Sequence, residues 1–187
     1  DITKGIKKVI EDKELGELDA LWRVATDWED PDFVAVALDV DGDEYPVRVF
    51  FSTDGGETFI DAGEVKDGVY FLNPGDVADL IVSPEVAGKR EIVIGGMDNA
   101  NRSALFRCTV TGDSPGAWKD VTEYAGWDDD TTPPVTPTSW LVTDLIFSPN
   151  YAEDKTILAV TVTSNSSTGY GYGTVHLQSG TFTKTSG

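Results

Sequence analysis

Two segments of this chain match one another without a gap, and this internal repeat constrains the fold more than any other feature. The segment "VADLIVSPEVAGKREIVIGG" begins at Val77, and "VTDLIFSPNYAEDKTILAVT" begins at Val142, 65 positions later. Self-similarity at a fixed period is typical of folds built from one repeated supersecondary unit. The identical residues include Asp79 with Asp144, Leu80-Ile81 with Leu145-Ile146, Ser83-Pro84 with Ser148-Pro149, and Ile92 with Ile157.

A weaker copy of the unit, "WRVATDWEDPDFVAVALDV", begins at Trp22. It aligns at an offset of 57 and is one residue shorter than the other two copies. The repeat therefore predicts three units along the chain. The alignment of the weaker copy pairs Val24 with Ile81, Thr26 with Ser83, and Val34 with Ile92.

The segments between turn residues have the composition of β-strands. They are short, rich in β-branched and aromatic residues, and bounded by Gly, Pro, Asn or Asp. Four antiparallel strands repeated every 57 to 65 residues form the blade of a β-propeller. We therefore expect an all-β fold of about three four-stranded antiparallel blades, as part of a larger propeller. The predicted strands are Phe33–Leu38, Pro46–Phe51, Gly68–Leu72, Val77–Val82, Glu91–Gly95, Ser103–Val110, Leu141–Phe147 and Thr156–Thr163.

Two segments depart from the strand pattern. Near the N-terminus, Ile6, Val9, Ile10 and Lys13 fall at helical spacing, which predicts a short helix or a loose arm. The tract "TTPPVTPTS" is predicted to be a loop, because each Pro removes a hydrogen-bond donor from a strand. The predicted divisions are an N-terminal arm 1–21, repeats 22–76 and 77–130, the Thr/Pro-rich loop 131–139, and an incomplete third repeat 140–187.

The stretch "FFSTDGGETF" contains a motif of fixed spacing, formed by Ser52, Asp54, Gly56, Thr58 and Phe59. Its chemistry suits a tight turn. Two adjacent glycines allow positive φ angles, and short Ser and Asp side chains can bond to nearby backbone N–H groups. The closing aromatic can pack back into the sheet. These residues are therefore predicted to be structural.

This motif resembles the Asp-box, S-x-D-x-G-x-T-[WF], of the Asp-box β-propeller superfamily. That superfamily includes sialidases, sortilins, photosystem assembly factors, xyloglucanases and many bacterial surface propellers. The resemblance implies that the motif is the turn between the third and fourth strands of a blade. The openings of the repeats at Val77 and Val142 are similar to the "SPNYAxDxT" blade openings of bacterial surface Asp-box proteins. The resemblance predicts a fold, but it does not predict an activity.

The other two repeats carry degenerate forms of the box. In the second repeat, "TGDSPGAW" keeps Asp113, Gly116 and Trp118 with one inserted residue. In the third repeat, "LQSGTF" keeps only Gly180 and Phe182. We expect each remnant to mark the same turn of its blade.

An acidic stretch, "LDVDGDEYP", is a candidate calcium site. Asp39, Asp41 and Asp43 have the alternate spacing that begins an EF-hand loop, whose oxygen ligands suit Ca²⁺. The match ends early, because Glu44 stands where that loop needs Gly, and Phe50 stands where it needs Glu. An Asp-Gly hairpin turn explains the same residues. Calcium is the one cofactor that the sequence suggests, and none is required.

Other polar or reactive residues have simpler explanations. His176 is the single histidine, so a histidine triad or histidine-based metal site lacks its partners. Cys108 lies on a predicted strand and is expected to be a buried small residue. The aspartates at 128–130 are predicted to lie in a solvated acidic loop. Tyr170 and Tyr172, in the Gly-rich "STGYGYGTV", are candidates for stacking on a sugar or on a protein partner.

The net charge of −19 argues against several partners. Such a field repels phosphate backbones and anionic lipids, so we expect neither nucleic acid nor a membrane surface as a partner. A run of 18 apolar residues, which a membrane-spanning helix would need, is absent from the sequence. The first residues lack the apolar core of a signal peptide, and the chain does not start with Met. We therefore expect a processed or excised piece of a longer protein.

The enzymes of the superfamily need residues that this chain does not match. Sialidases bind their substrate through three arginines and an Arg-Ile-Pro motif, whereas "YPVRVFF" supplies only Arg48. Xyloglucanases need two carboxylates across a long cleft. We therefore expect a non-enzymatic extracellular or cell-surface module, in a surface coat or adhesin-like assembly, that binds a protein partner, itself or carbohydrate. The alternatives are a fragment of a secreted glycoside hydrolase and an assembly factor of the photosystem type.

Overall fold

The computed structural model describes residues 2–40, 46–100, 103–121, 140–163 and 174–181. It contains two helices and thirteen strands within these ranges. The helices are α1 (Ile2–Asp12) and α2 (Tyr151–Asp154). The strands are β1 (Leu18–Thr26), β2 (Val34–Val40), β3 (Arg48–Ser52), β4 (Ile60–Glu64), β5 (Lys66–Asp67), β6 (Tyr70–Val82), β7 (Lys89–Asp98), β8 (Ser103–Thr111), β9 (Ser114–Pro115), β10 (Lys119–Asp120), β11 (Trp140–Phe147), β12 (Thr156–Thr163) and β13 (Thr174–Thr181).

The strands form three antiparallel sheets that follow one another along the chain. The first sheet has the order β1-β2-β3-β4. The second sheet has the order β10-β8-β7-β6-β5, with β9 paired to β8, and the third has the order β11-β12-β13. The expected antiparallel, predominantly β architecture is confirmed, and one of the three sheets has four strands. Short hairpin connections make neighbours in sequence neighbours in space.

Each sheet contains the same irregular strand: β1 in the first sheet, β6 in the second and β11 in the third, which we call the first strands. The pairing of each first strand with the strand that follows it shifts register between Leu21 and Arg23, between Val77 and Asp79, and between Val142 and Asp144. A register shift thus recurs at the same place in each sheet, and a β-bulge of this kind increases the local twist of a strand. The repeat in the sequence is therefore also a repeat of backbone geometry.

The structure corrects the predicted alignment of the first repeat by one residue. In register, Thr26 pairs with Val34 as Val82 pairs with Ile92, so Thr26 corresponds to Val82 rather than to Ser83. By the same shift, Ala25 and not Val24 corresponds to Ile81. The predicted match of Val34 with Ile92 agrees with this register. The cause is the turn that follows the first strand, which is two residues shorter in the first sheet than in the second. The predicted alignment was therefore displaced by one residue, and it matched side chains that lie on opposite faces of the two sheets.

The strand boundaries needed a second correction. Gly68–Leu72 and Val77–Val82 were predicted as two strands, but Tyr70–Leu72 and Val77–Val82 belong to the single long strand β6, with an irregularity between Leu72 and Val77. Gly68 and Val69 form the turn before this strand. The intervening Asn-Pro-Gly-Asp segment has the composition of a turn. Tertiary pairing with β5 and β7 on either side of the irregularity keeps the backbone extended there.

Three apolar clusters hold the sheets together. The first lies between the first and second sheets and includes Phe51, Leu72 and Phe106. The second lies between the second and third sheets and includes Leu105 and Leu145. Every residue of β2 is buried, because alternate side chains of this strand enter different clusters on its two faces.

The third cluster lies between the first sheet and helix α1, which is formed by part of the predicted N-terminal arm. Ile6 and Ile10 are buried on the sheet, beside Val34, Val36 and Phe50. The lysines on the other side of the helix are exposed. The helix therefore covers a face of the first sheet that would otherwise lie open. Among the described residues, no helix is long and apolar enough to cross a membrane.

We expect Gly95→Ala to destabilise the protein by disturbing the contact between the second and third sheets. A Cβ atom at Gly95 would lie 2.8 Å from Val142 Cγ1 and 3.1 Å from Leu145 Cδ1. Overpacking of this kind costs about 1–3 kcal/mol. Gly75→Ala is the control, because a Cβ atom there has no neighbour within 4 Å and the φ angle is not positive. Urea denaturation of both variants tests this, and equal stability would contradict the packing.

Candidate functional site

The Ser52–Phe59 segment joins the third and fourth strands of the first sheet. Ser52, the last residue of β3, is fully buried, and its hydroxyl is the centre of the turn. The Ser52 Oγ donates to Asp54 Oδ1 at 2.7 Å, and it accepts the backbone N–H groups of Asp54 at 3.2 Å and Gly56 at 2.8 Å. One hydroxyl thus satisfies two backbone donors of the turn.

The Asp54 carboxylate closes the other half of the turn. It accepts the Thr58 backbone N–H at 2.9 Å through Oδ1 and at 3.1 Å through Oδ2, and it also accepts the Thr58 hydroxyl. These hydrogen bonds from Thr58, with the one from Ser52, lower the pKa of Asp54 to about 2. Gly55 and Gly56 have φ angles of 72° and 88°, in the region that favours glycine. The carboxylate is therefore ionised and bound within its own turn.

The turn is anchored to two neighbouring elements. The Gly55 N–H donates to Asp32 O at 2.8 Å, which links the turn to the β1–β2 connection. Phe59 is buried in the cluster under α1. A Cβ atom at Gly5 would lie 3.0 Å from the Phe59 ring, so the helix approaches the turn closely. The segment thus connects the first sheet to the helix.

The corresponding turn of the second sheet contacts the first sheet. Trp118 is buried, and its Nε1 donates to Ala62 O of β4 at 2.9 Å. The Thr53 hydroxyl donates to Asp113 Oδ1 at 3.0 Å, so the two turns touch. The Gly116 N–H donates to Thr109 O at 2.8 Å within the second sheet. In the third sheet Gly180 lies on β13, and Phe182 lies outside the described residues.

The predicted calcium residues lie only partly within the described ranges. The strand β2 runs to Val40, so Asp39 is a buried strand residue and not part of a hairpin turn. The hairpin interpretation is wrong for Asp39, because pairing with β1 continues to the end of the strand. Asp41, Asp43 and the aspartates at 128–130 lie outside the described residues. No group of three or more potential metal ligands occurs in the described part of the chain.

Of the other candidate residues, Cys108 and His176 lie within the described ranges. Cys108 is buried, and burial raises the pKa of its thiol to about 12, so a thiolate nucleophile does not form near neutral pH. His176 lies on β13, opposite Thr161 of β12. Tyr170 and Tyr172 lie outside the described residues.

An ion cluster around Arg90 was not foreseen from the sequence. The Arg90 guanidinium donates to Asp27 at 3.0 Å, to Glu85 at 2.8 Å and to Asp30 at 2.5 Å, and it lies 4.9 Å from the centre of the Phe33 ring. Asp27 is buried, and both Asp27 and Asp30 belong to the first sheet's β1–β2 connection. The cluster therefore binds the second sheet to the first. Asp27 and Asp30 are 63 and 60 residues from Arg90 along the chain, so no local sequence signal identifies these two pairs.

The bulged first strands carry a second unforeseen set of polar contacts. The Leu145 N–H donates to Asp79 Oδ2 at 2.8 Å and to Asp144 Oδ1 at 2.9 Å, so two carboxylates meet at one donor. Burial raises the pKa of Asp79, and the neighbouring Asp144 carboxyl acts in the same direction. Arg23 occupies the corresponding bulge position in the first sheet, and its Nε donates to Ala78 O at 2.8 Å.

A shallow apolar groove lies across the ends of the three first strands. Its volume is about 230 Å³, below the usual range of small-molecule pockets. Trp28 and Val24 at its edge are 54% and 48% exposed. The described residues that line the groove are mostly apolar and include no charged side chain. Its lining residues are Val24, Ala25, Thr26, Trp28, Leu80, Ile81, Val82, Ile146 and Phe147.

No protein-family model matches the sequence. No curated protein matches it at a significant level. The geometry of the described residues is therefore the basis for the function proposed below.

We expect Asp54→Asn to lower the melting temperature at neutral pH, because an amide replaces the ionised acceptor of the Thr58 bonds. The Asp54 pKa is lowered from 3.8 to about 2, so its stabilising effect is complete above pH 4 and is lost as the pH falls towards 2. The difference in melting temperature between the wild type and the variant should shrink over that interval. A difference that stays constant from pH 6 to pH 2 would contradict this role of the carboxylate.

We expect Arg90→Met to lower the free energy of unfolding by about 3 kcal/mol, because the buried Asp27 carboxylate loses its counter-charge. The double variant Arg90→Met/Asp27→Asn removes the uncompensated charge and should recover part of the loss. Lys7→Met, on the exposed side of α1, is the control. Guanidinium denaturation measures all three. A double variant that is no more stable than Arg90→Met alone would contradict the electrostatic explanation.

Proposed function

We propose that this chain is a section of an Asp-box β-propeller and that it has a non-enzymatic structural or binding role at the cell surface or outside the cell. The arrangement of the sheets supports the propeller. In that fold, successive antiparallel sheets pack face to face, and their first strands lie side by side at the centre. Here β6 lies against β1 on one side and against β11 on the other. The same bulge occurs in each of these strands.

The observation that carries the non-enzymatic role is the hydrogen bonding of Asp54. Its carboxylate accepts bonds from Ser52 and Thr58, and the turn that it closes is packed on α1 and on the β1–β2 connection. A nucleophile or general base needs a free oxygen directed at a substrate. Asp54 is instead occupied in holding the backbone, which is what a structural Asp-box requires.

The arginines also favour a structural role over a sialidase. A sialidase needs three guanidinium groups directed at one carboxylate of the substrate. In the described residues, Arg48 pairs with Asp61 at 2.8 Å and with Glu64 at 3.2 Å, and Arg90 has three acidic partners. Arg23 donates to backbone carbonyls of Ala78 and Trp22. These groups are committed to the protein itself.

The proposed partners are another protein, a second copy of the chain, or carbohydrate. The net charge of −19 favours partners without dense negative charge. Exposed Trp28 and Val24, beside the apolar groove, offer a surface for such contacts. The role requires no cofactor, and calcium binding at Asp39, Asp41 and Asp43 stays a prediction. An assembly factor of the photosystem type would use the same surfaces, and no contact favours it specifically.

Surface location is the most direct test of this proposal. We expect antibodies against the chain to label intact cells of the source organism or to detect the chain in the medium, and external protease to remove the cell-bound signal. A cytoplasmic protein assayed in parallel is the control for lysis. A signal that appears only after lysis would contradict the proposed location.

Hydrolase assays test the alternative that the chain belongs to a glycoside hydrolase. We expect no release of product from fluorogenic sialosides or xyloglucan oligosaccharides by the folded chain. Asp79→Asn/Asp144→Asn is the matched variant, because these two carboxylates of the first strands accept the same N–H group, that of Leu145. Turnover by the wild type that this variant loses would establish the hydrolase and reject the non-enzymatic role.

A further inference from the structure

The bulge position of each first strand reaches to the next sheet. Arg23 of β1 donates to Ala78 O of β6 at 2.8 Å, and Asp79 of β6 accepts the N–H of Leu145 of β11 at 2.8 Å. Although one side chain is a donor and the other an acceptor, both join neighbouring first strands at the same place. Asp144 is the third member of this row. It is exposed and accepts the Leu145 N–H through Oδ1, as Asp79 accepts the Leu80 N–H through Oδ1. The row of bulge positions thus continues to the third sheet.

The apolar side chains of the first strands follow the same row. Ala25 packs into the cluster between the first and second sheets, and Ile81 packs against the cluster between the second and third sheets. Ile146 is the equivalent residue of the third sheet, and it is 58% exposed. On the adjoining strand, Leu158 is half-buried where its equivalent, Val93, is fully buried. Within the described ranges, the third sheet therefore presents an uncovered apolar face that has the position of an inter-sheet contact.

At the other end of the stack, α1 occupies the position of a preceding sheet. Ile92 and Ile94 of the second sheet pack towards the first sheet. The equivalent residues of the first sheet, Val34 and Val36, pack under α1. The aromatic residues that end the two turns show the same equivalence. Trp118 of the second sheet binds the preceding sheet, whereas Phe59 of the first sheet lies beneath the helix. The helix therefore covers the face that would otherwise match the outer face of the third sheet.

We propose that the outer face of the third sheet is a docking surface for the first sheet of a second copy of this chain, and that α1 prevents the contact until it is displaced. The occupant is a second copy because, among the described residues, the face under α1 has the position that receives the preceding sheet in this repeat. The contact continues the two inter-sheet interfaces in the same order. Two copies joined head to tail at both ends form a ring of six sheets, within the four to eight of closed propellers.

This inference rests on the proposed propeller arrangement, and displacement of α1 in the full chain tests it. Ile6→Asp/Ile10→Asp places two charges in the contact of the helix with the first sheet. Lys7→Asp changes the net charge by the same amount on the exposed side and is the matched control. Sedimentation velocity at micromolar concentration measures the mass. We expect the wild type and the control to be monomers of 20.2 kDa, and the helix variant to reach twice that mass.

Two further substitutions locate the interface. Ile146→Asp, added to the helix variant, should return it to a monomer. Asp144→Ala, added in the same way, removes the bond to the incoming strand and should weaken dimerisation about tenfold. A helix variant that stays monomeric, or one whose association Ile146→Asp does not affect, would overturn the proposal.

A second helix variant and the shape of the dimer test the proposal further. Gly5→Val displaces the helix without added charge, since a side chain there meets the Phe59 ring. If both helix variants lose their β-sheet circular dichroism, α1 is part of the core and the proposal is wrong. Small-angle scattering of the dimer separates a ring from an elongated particle. An elongated dimer would overturn the ring and the propeller arrangement with it, whereas hydrolase activity or an intracellular location would overturn the proposed role alone.

Discussion

Burial of both faces of the first and second sheets is the constraint on which the rest of this structure depends. The strand β2 shows it most clearly, since its side chains enter the helix cluster on one face and the inter-sheet cluster on the other. A strand with two apolar faces cannot be stable at a surface. The first sheet therefore needs both the second sheet and α1. The close approach of Gly95 to Val142 shows how tightly the next contact in the series is packed.

Polar groups fix the order in which these apolar faces meet. The hydrophobic effect has no direction, so by itself it would allow neighbouring sheets to slide or rotate relative to one another. The Arg90 cluster links the β1–β2 connection to the second sheet, and the Trp118–Ala62 hydrogen bond links the two sheets again at β4. The contacts of Arg23 and Asp79 align the bulged first strands. Together they explain why the repeat in sequence becomes a repeat in space.

The clearest local motif of the sequence contributes to the architecture. Ser52 and Asp54 satisfy the donors of one tight turn, and their residue types follow from the geometry of that turn. The hydrogen bonding of the turn could therefore be predicted from a stretch of ten residues. The contacts between sheets could not be predicted in this way, because they join residues that are far apart in the chain. The Arg90–Asp27 pair and the meeting of Asp79 with Leu145 belong to this class.

The sequence by itself determined the local structure: strands between turn residues, a helix from the spacing of Ile6 and Ile10, and three copies of one unit. Each follows from short-range preferences or from direct comparison of two segments. Only the tertiary structure decided the register of the first repeat, where a shorter turn shifts Thr26 to the position of Val82. It also decided that Asn73 and Pro74 lie in a strand and that Asp27 is buried beside Arg90. These outcomes depend on pairing and packing between distant segments of the chain. The free energy of such contacts cannot be predicted from any local stretch of the sequence.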